Sequence, residues 1–567
     1  MMKFEKWEIK GYDRAVAARM TRSGLNPLVA VTLVSRGITT TEEAEVFQCD
    51  DFSLIADPFL LKDMDRAVDR IQKAIDNSEH VAIYGDYDVD GMTSSCLLAS
   101  YFRAKGVEAE IYIPGRMDEG YGLNAAALDA LAARGVTLVI TVDCGITACR
   151  EADYARSIGL DLIITDHHAC QSEMPQAVAV VDPKRQDCPS PNKSLAGVGV
   201  AFMLVCALEK SRSMEHLLEA YGDLVAIGTI ADVMPVVGEN RVLIRRGMMA
   251  LNKKTRPGLR RLMREAGLES RTVSVSMIGY NLAPRLNAAG RMGRTSLTVD
   301  LLLTENEDEA DRLASELTGL NSERRQLEAD IFEQAQAALA ATRPVGPVVL
   351  ANRGWYQGVM GIVAARIAEQ FFYPTIMISV DDDGMGRGSC RSIGRFCMYA
   401  ALESCSDLLE NYGGHEMAAG LTIAEENIDA FRERLLAIYS QMVTKPGVPA
   451  LFIDFEVVKP ELLSLENITA LERFEPFGNG FLMPILCLRA ATLTSVTPVG
   501  GGKHTKMRVL KNGKVFDCIL FGTSADDLGV SRGALVDLAF EAQVNEYRAM
   551  RSVQLHVLDI RPHMELG

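Results

Sequence analysis

One short apolar run that ends abruptly in acid constrains this chain more than any other stretch. Val81, Ala82 and Ile83 read as a strand. After Gly85 come aspartates at every second position, Asp86, Asp88 and Asp90, then Gly91 and a helical run from Met92 to Lys105. Three carboxylates crowded at a strand's end repel one another, so the cluster calls for a compensating cation. Hard oxygen ligands suit magnesium or manganese. The same letters open a calcium loop of the EF-hand kind, but that loop needs a glutamate at its twelfth position, where this chain has Leu97, and it lies between two helices. Taken alone, the stretch also reads as a plain turn with aspartates as caps.

What surrounds it decides between these. An amphipathic stripe (Met64, Ala67, Val68, Ile71, Ala74, Ile75) predicts a helix over 63–77, leading into the first strand. Strands are then expected at 110–113, 137–145, 161–168 and 177–183, with helices between them, one capped by Asn124. Near-continuous apolar strands alternating with helices imply a buried, mostly parallel sheet, whose chemistry lies beyond the strands' carboxyl ends. Those ends are acidic or imidazole-bearing: Asp86, Asp88 and Asp90 after the first strand, Asp143 after the third, and Asp166, His167 and His168 after the fourth. The apolar run 224–232 finishes likewise at Asp232. Each alone is explained by a cap or a turn. Four such termini on one sheet edge are not, and carboxylates mixed with imidazole favour a dinuclear manganese or magnesium centre.

At 567 residues the chain needs three to four domains. No run approaches the roughly 20 apolar residues of a membrane span, and the opening residues lack an apolar signal core, so a cytoplasmic protein is expected. Twelve scattered cysteines without a C-x-x-C pair predict reduced core thiols. The net charge of −16 argues against nucleic acid, yet between Arg241 and Arg294 thirteen Lys and Arg stand against Glu265 and Glu269. That block suits a phosphate-backbone track at least as well as a solvated face.

Four of these stretches carry a family resemblance. DYDVDG, VDCG, TDHH and GTIAD look like the motifs of the DHH phosphoesterases, and nearly the whole chain resembles the single-strand-specific exonuclease branch of that family. Further matches are GRMDEGYGL (115–123), LAGVGVAF (195–202), NLAPRLNAAGRMG (281–293), GWYQGVMGIVAARI (354–367), GRGSCRS (386–392), YGGHEMAAG (412–420), FEPFGNG (474–480) and VQLHVLDI (553–560). The expected fold class is α/β. A helical N-terminal segment (1–57) precedes a mostly parallel-sheet DHH catalytic domain (58–300). A connector helix (301–343) then leads to a smaller α/β DHH-associated domain (344–444), and a barrel (450–567) follows the KPGVP linker. The connector's composition says only that it is a long helix. The barrel's short strands and basic segment KHTKMRVLKNGK (503–514) fit an OB or an SH3-like barrel by pattern, and the resemblance favours OB.

The resemblance implies two divalent cations, Mn2+ or Mg2+, held by Asp88, Asp90, Asp143, His167 and Asp232, with Asp143 bridging. Asp86 is then a ligand or a base orienting the site, and His168 faces the scissile phosphate. In the DHH-associated domain a helix N-terminus follows the Gly-Trp pair. A glycine-rich turn carries Arg387, Ser389 and Arg391, and Gly413-Gly414-His415 closes a helix. By the resemblance, Ser389 and Arg391 grip a terminal 5′-phosphate with Arg116 and Arg285, while Asn287, Arg366 and His415 also contact substrate. One departure is Tyr356, where the family usually has histidine after Gly-Trp. The implied activity is a metal-dependent 5′-to-3′ exonuclease on single-stranded DNA that yields 5′-mononucleotides for repair and recombination. A monomer is expected, with a RecQ-type helicase and a single-stranded-DNA-binding protein as partners. Two rivals were weighed: a small-substrate DHH phosphodiesterase acting on short oligonucleotides or cyclic dinucleotides, and a non-catalytic DNA-binding scaffold. The barrel and basic block oppose the first, and the complete ligand set opposes the second.

Overall fold

The computed structural model describes residues 4–49, 51–115, 119–120, 122–210, 213–341, 344–443, 448–547 and 550–564. They form two compact units, Asp50–Gly447 on one hand and Met1–Cys49 with Val448–Gly567 on the other.

In the Asp50–Gly447 unit, five parallel strands lie in the order Ala109–Tyr112, Val81–Gly85, Leu138–Val142, Asp161–Thr165, Ala179–Val181. Val81–Gly85 and Leu138–Val142 are buried at every position, which accounts for their unbroken apolar character. Ile83, Ile140 and Ile163 face one core, while Tyr84, Val139 and Ile164 face another on the opposite side. The helix predicted over 63–77 is Met64–Asp76.

One expectation is overturned here. The apolar run 224–232 does not end a strand; it is the second half of the helix Met214–Ala231, and Asp232 caps its C-terminus. Leu224 through Ile230 are buried on every side of that helix, so no polar stripe betrays its period.

A second correction concerns the basic block. Lys253 pairs with Glu219 at 2.9 Å and Arg256 with Asp223 at 2.9 Å. Arg260 and Arg261 meet Glu307, Arg261 and Arg264 meet Asp311, and Arg294 meets Glu316. These last acids lie on the 35-residue helix Glu307–Ala341, about 52 Å long. Much of the local positive charge is thus matched by acids from elsewhere in the chain and serves the docking of the long helix.

Beyond that helix a second five-stranded sheet has the order Asn411–Gly414, Ala418–Ala424, Met385–Arg391, Thr375–Val380, Val348–Arg353. Only its last pair is parallel. The stretch expected to be a glycine-rich turn is the strand Met385–Arg391, with the turn confined to Gly384 at φ 78°. Gly413-Gly414-His415 likewise closes no helix; it belongs to the hairpin Asn411–Gly414/Ala418–Ala424.

The other unit holds a barrel. Leu486–Val499, His504–Lys511, Lys514–Leu520, Met550–Pro562 and Leu535–Tyr547 pair in that order, and the last closes onto the first. Lys514–Leu520 and Met550–Pro562 run parallel. This is the closed five-stranded OB arrangement, although three of the strands are 13 or 14 residues long. The N-terminal segment does not stand apart. Leu28 and Leu33 of the helix Pro27–Ser35 share a core with Phe455, Ile468 and Leu486, and Lys6–Ile9 pairs in parallel with Ala450–Ile453. Of the KPGVP linker, residues 445–447 lie outside the described residues.

Candidate metal centre and adjoining cleft

The acidic cluster is built by backbone as much as by side chains. Asp88 caps the helix Val89–Ala104, its Oδ1 accepting from the amides of Asp90 (2.9 Å) and Gly91 (3.1 Å). The chain doubles back so tightly that a Cβ on Gly91 would sit 2.6 Å from the Asp86 amide nitrogen. Asp90 accepts from the amides of Gly197 (2.6 Å) and Val198 (2.9 Å), at the N-terminus of the helix Gly197–Leu208. There the positive end of the helix faces the carboxylate. A Cβ on Gly197 would lie 2.6 Å from that of Asp143. The LAGVGVAF stretch, to which the sequence assigned no role, is therefore the support of two acidic side chains. Asp143 itself adopts φ 62° and Val233, directly after Asp232, φ 57°. Left-handed backbone is costly for a β-branched residue and gathers at functional sites.

These supports bring the predicted ligands together. One set is Asp90, His167 and Asp232, another Asp86, Asp88 and Asp143, and a third joins Asp143 with His167 and His168. His167 Nε2 lies 3.0 Å from Asp143 Oδ1, 3.5 Å from Asp232 Oδ2 and 3.8 Å from Asp90 Oδ2. Yet His167 Nε2, Asp143 Oδ1 and Asp232 Oδ2 are buried without a hydrogen-bond partner among the described residues. Buried acceptors that face one another unpaired are costly, and a divalent cation resolves all three at once. The donor set fits such an ion: carboxylate oxygens with one imidazole, and no thiolate.

Electrostatics agree. Burial, then the charges of Asp232 and Asp88, hold Asp90 well above the usual carboxylate range. Burial, then Asp90 and Asp88, does the same to Asp143. Burial and Asp88 push Asp232 up to about 7. His167 is pushed down to about 3 by burial and by His168, which leaves its imidazole neutral and able to donate a lone pair. For His168 burial opposes the charge, but the hydrogen bond to Asp166 and the acidic surroundings prevail and raise it to about 9. Asp166 is no ligand. It takes the His167 and His168 amides and His168 Nδ1 (2.7 Å) on one oxygen and the Ile146 amide on the other, fixing His168 as an imidazolium.

The predicted substrate residues scatter more. Asn287 accepts from the Val89 amide at 3.1 Å, so it holds the acidic loop. Arg285 is half-buried and donates to the Asn281 carbonyl within its own helix. Arg366 turns away: it pairs with Glu328 at 2.9 Å and lies 3.8 Å over the Phe332 ring, both on the long helix. Ser389 and Arg387 line a cavity of about 390 Å³ that also touches Tyr87 and Gly120. Arg391 donates to the Cys390 carbonyl and packs against Gly361. His415 is exposed at the hairpin tip, its amide bonded to the Ala418 carbonyl. Arg116 lies outside the described residues. Tyr356 is the N-cap residue of the helix Gln357–Phe371 and is half-buried. All twelve cysteines are free thiols, and among the described residues no helix is long and apolar enough to cross a membrane.

Comparison with known proteins places these features in a family. Residues 80–229 match the DHH family N-terminal domain, residues 345–441 the DHHA1 domain and residues 453–559 the RecJ OB domain. The chain is 37% identical to the single-stranded-DNA-specific exonuclease RecJ of Bacillus subtilis, over 98% of this chain and 70% of that one. It is 35% identical to the Escherichia coli protein of the same name, over 95% and 96%. Among solved structures, RecJ of Thermus thermophilus in complex with Mn2+ superimposes with a TM-score of 0.84 at 28% identity, covering 99% of this chain and 80% of that one. Its complex with Mg2+ gives 0.78 at 27% identity, covering 99% and 79%.

Proposed function

The chain belongs to the RecJ family of DHH proteins, and from that premise we propose that it is a 5′-to-3′ exonuclease that degrades single-stranded DNA to 5′-mononucleotides with two divalent ions. One observation carries the proposal. Two three-residue ligand sets, Asp90–His167–Asp232 and Asp86–Asp88–Asp143, lie side by side and are linked where His167 approaches Asp143. Manganese or magnesium ions held there would activate a water and offset the charge of a phosphodiester.

The chain's own groups supply the rest. Neutral His167 and the five carboxylates fix the ligand positions, and the Gly197 and Val198 amides keep Asp90 from swinging out. His168, charged and oriented by Asp166, presents a cation to the scissile phosphate or to the departing oxygen. Polarity needs a second contact beside the cluster. Arg387 and Ser389 at the adjoining cavity suit a terminal 5′-phosphate, because a guanidinium binds phosphate oxygens bidentately. The OB barrel suits the strand beyond, through charge and stacking. Family membership extends the proposal to a cytoplasmic monomer acting with a RecQ-type helicase and a single-stranded-DNA-binding protein. Digestion of end-labelled single strands with Mn2+ tests the function. Early release of a labelled mononucleotide from the 5′ end is expected, and internal cuts or release from the 3′ end would refute it.

A further inference from the structure

One row of the second sheet is not explained by the fold. Gly413 stands opposite Gly420 and Gly420 opposite Ser389, and directly opposed residues share a face. The row above is polar, Asn411–Thr422–Arg387, and the row below carries Ala418 and Arg391. Two neighbouring strands, about 4.8 Å apart, therefore present bare backbone beside the Ser389 hydroxyl. Other glycines nearby have structural reasons. Gly414 adopts φ 137°, and a Cβ there would meet the Ala418 carbonyl at 2.5 Å. Gly386 and Gly388 face the opposite side, where a Cβ would press on Ile378 and Leu421 at 2.8 Å.

Gly413 and Gly420 have no such reason. Neither takes left-handed backbone. Among the described residues, a Cβ on Gly413 would meet nothing within 4 Å, and one on Gly420 only the Gly388 carbonyl at 3.7 Å. Glycine weakens a strand and often marks a close backbone approach by a ligand. Both glycines line the cavity of about 390 Å³, with Arg387 and Ser389 beside them. Gln357 and Met360 form another part of its wall, and so does Tyr87, which sits between Asp86 and Asp88. Its volume is at the small end of the range for small-molecule sites, about 300–1,000 Å³.

We propose that this glycine-floored slot seats the nucleoside of the terminal nucleotide, and so binds nucleoside 5′-monophosphates, the product class of the reaction. The inference rests on the exonuclease assignment above. With the 5′-phosphate at Arg387 and Ser389, sugar and base lie flat over Gly413 and Gly420, within reach of Asn411 and Thr422 at the rim. A floor of backbone already paired in the sheet reads no base, so all four nucleotides fit.

The test uses the full chain and reads binding without turnover. Calorimetry would compare 5′-dAMP, deoxyadenosine and inorganic phosphate on the wild type, Gly420→Ala and Gly413→Val. The wild type is expected to bind 5′-dAMP at least about tenfold more tightly than phosphate. The variants should lose about 10- to 200-fold for 5′-dAMP, the scale of a methylene misfit in a pocket, while phosphate affinity and melting temperature stay unchanged. A wild type that binds 5′-dAMP no better than phosphate, or variants that bind it as the wild type does, would overturn the slot. A protein that binds 5′-dAMP through these glycines yet does not digest single strands upholds the slot and overturns the exonuclease assignment alone.

Discussion

The two five-stranded sheets of the Asp50–Gly447 unit place their chemistry differently. The parallel sheet uses its ends: Asp86, Asp143 and Asp166–His168 stand just past strands whose faces are both buried. The mixed sheet uses an open face, where Arg387, Ser389 and Arg391 alternate along one strand with buried Gly386, Gly388 and Cys390. End positions can be buried, crowded and strained, which suits a charge cluster waiting for cations. Face positions are spaced by the ladder and lie open, which suits holding a ligand in register. The difference teaches that loss of an end residue should abolish chemistry, whereas loss of a face residue should weaken grip.

The largest effect should come from the ends. Asp143→Ala or His167→Ala should cost several kcal/mol of barrier, on the order of a thousandfold or more in rate. Single-turnover digestion with Mn2+ would show it, and near wild-type rates would break the assignment.

Next comes a linked effect of metal and pH on stability. Asp90 and Asp143 lie above the usual carboxylate range and Asp232 is raised to about 7. A carboxylate whose folded value is raised stabilises the fold below its unfolded value, and loses that contribution as pH rises through the folded one. The metal-free protein should therefore lose stability as pH rises toward and beyond 7, and Mn2+ should raise the melting temperature more at pH 8 than at pH 6. A larger shift at pH 6 would contradict the cluster's electrostatics.

For the face, Arg387→Ala should cost about 1.5–3 kcal/mol, roughly 10- to 100-fold in kcat/KM on 5′-phosphorylated strands. The loss should be small on strands with a 5′-hydroxyl. Comparable losses on both substrates would mean that Arg387 holds internal backbone instead. The smallest change is expected from Arg264→Ala. Its charge is already taken up by Asp311, so affinity for single strands should change less than about twofold, within the 0–1 kcal/mol usual for exposed ion pairs. A large loss, read by anisotropy with a labelled oligonucleotide, would restore the basic block as a DNA track.

Legibility in the sequence followed the same division. The ends were legible because parallel strands buried on both faces are written as unbroken apolar runs, so the first polar residue after each run marks the site. Asp232 was found, but its element was not, since a helix buried all round and a buried strand share one pattern. The face was misread as turns. Gly386 and Gly388 look like breakers, yet they are strand residues because Ile378 and Leu421 occupy the space their side chains would need. Arg366 was lost to the long helix because Glu328 and Phe332, 38 and 34 positions away in sequence, claim its guanidinium. Nor does spacing along the chain reveal that Leu28 and Leu33 share a core with Phe455 and Leu486.

That shared core sets a timetable for the growing chain. The helix Pro27–Ser35, buried from Leu28 to Ser35, leaves the ribosome first, while the barrel that covers it is made last. At about 5–20 residues per second, the intervening 400 or so residues take roughly 20–80 s. Through that interval an uncovered apolar helix waits beside a nascent polypeptide, a natural client for a chaperone that holds early segments until late ones arrive.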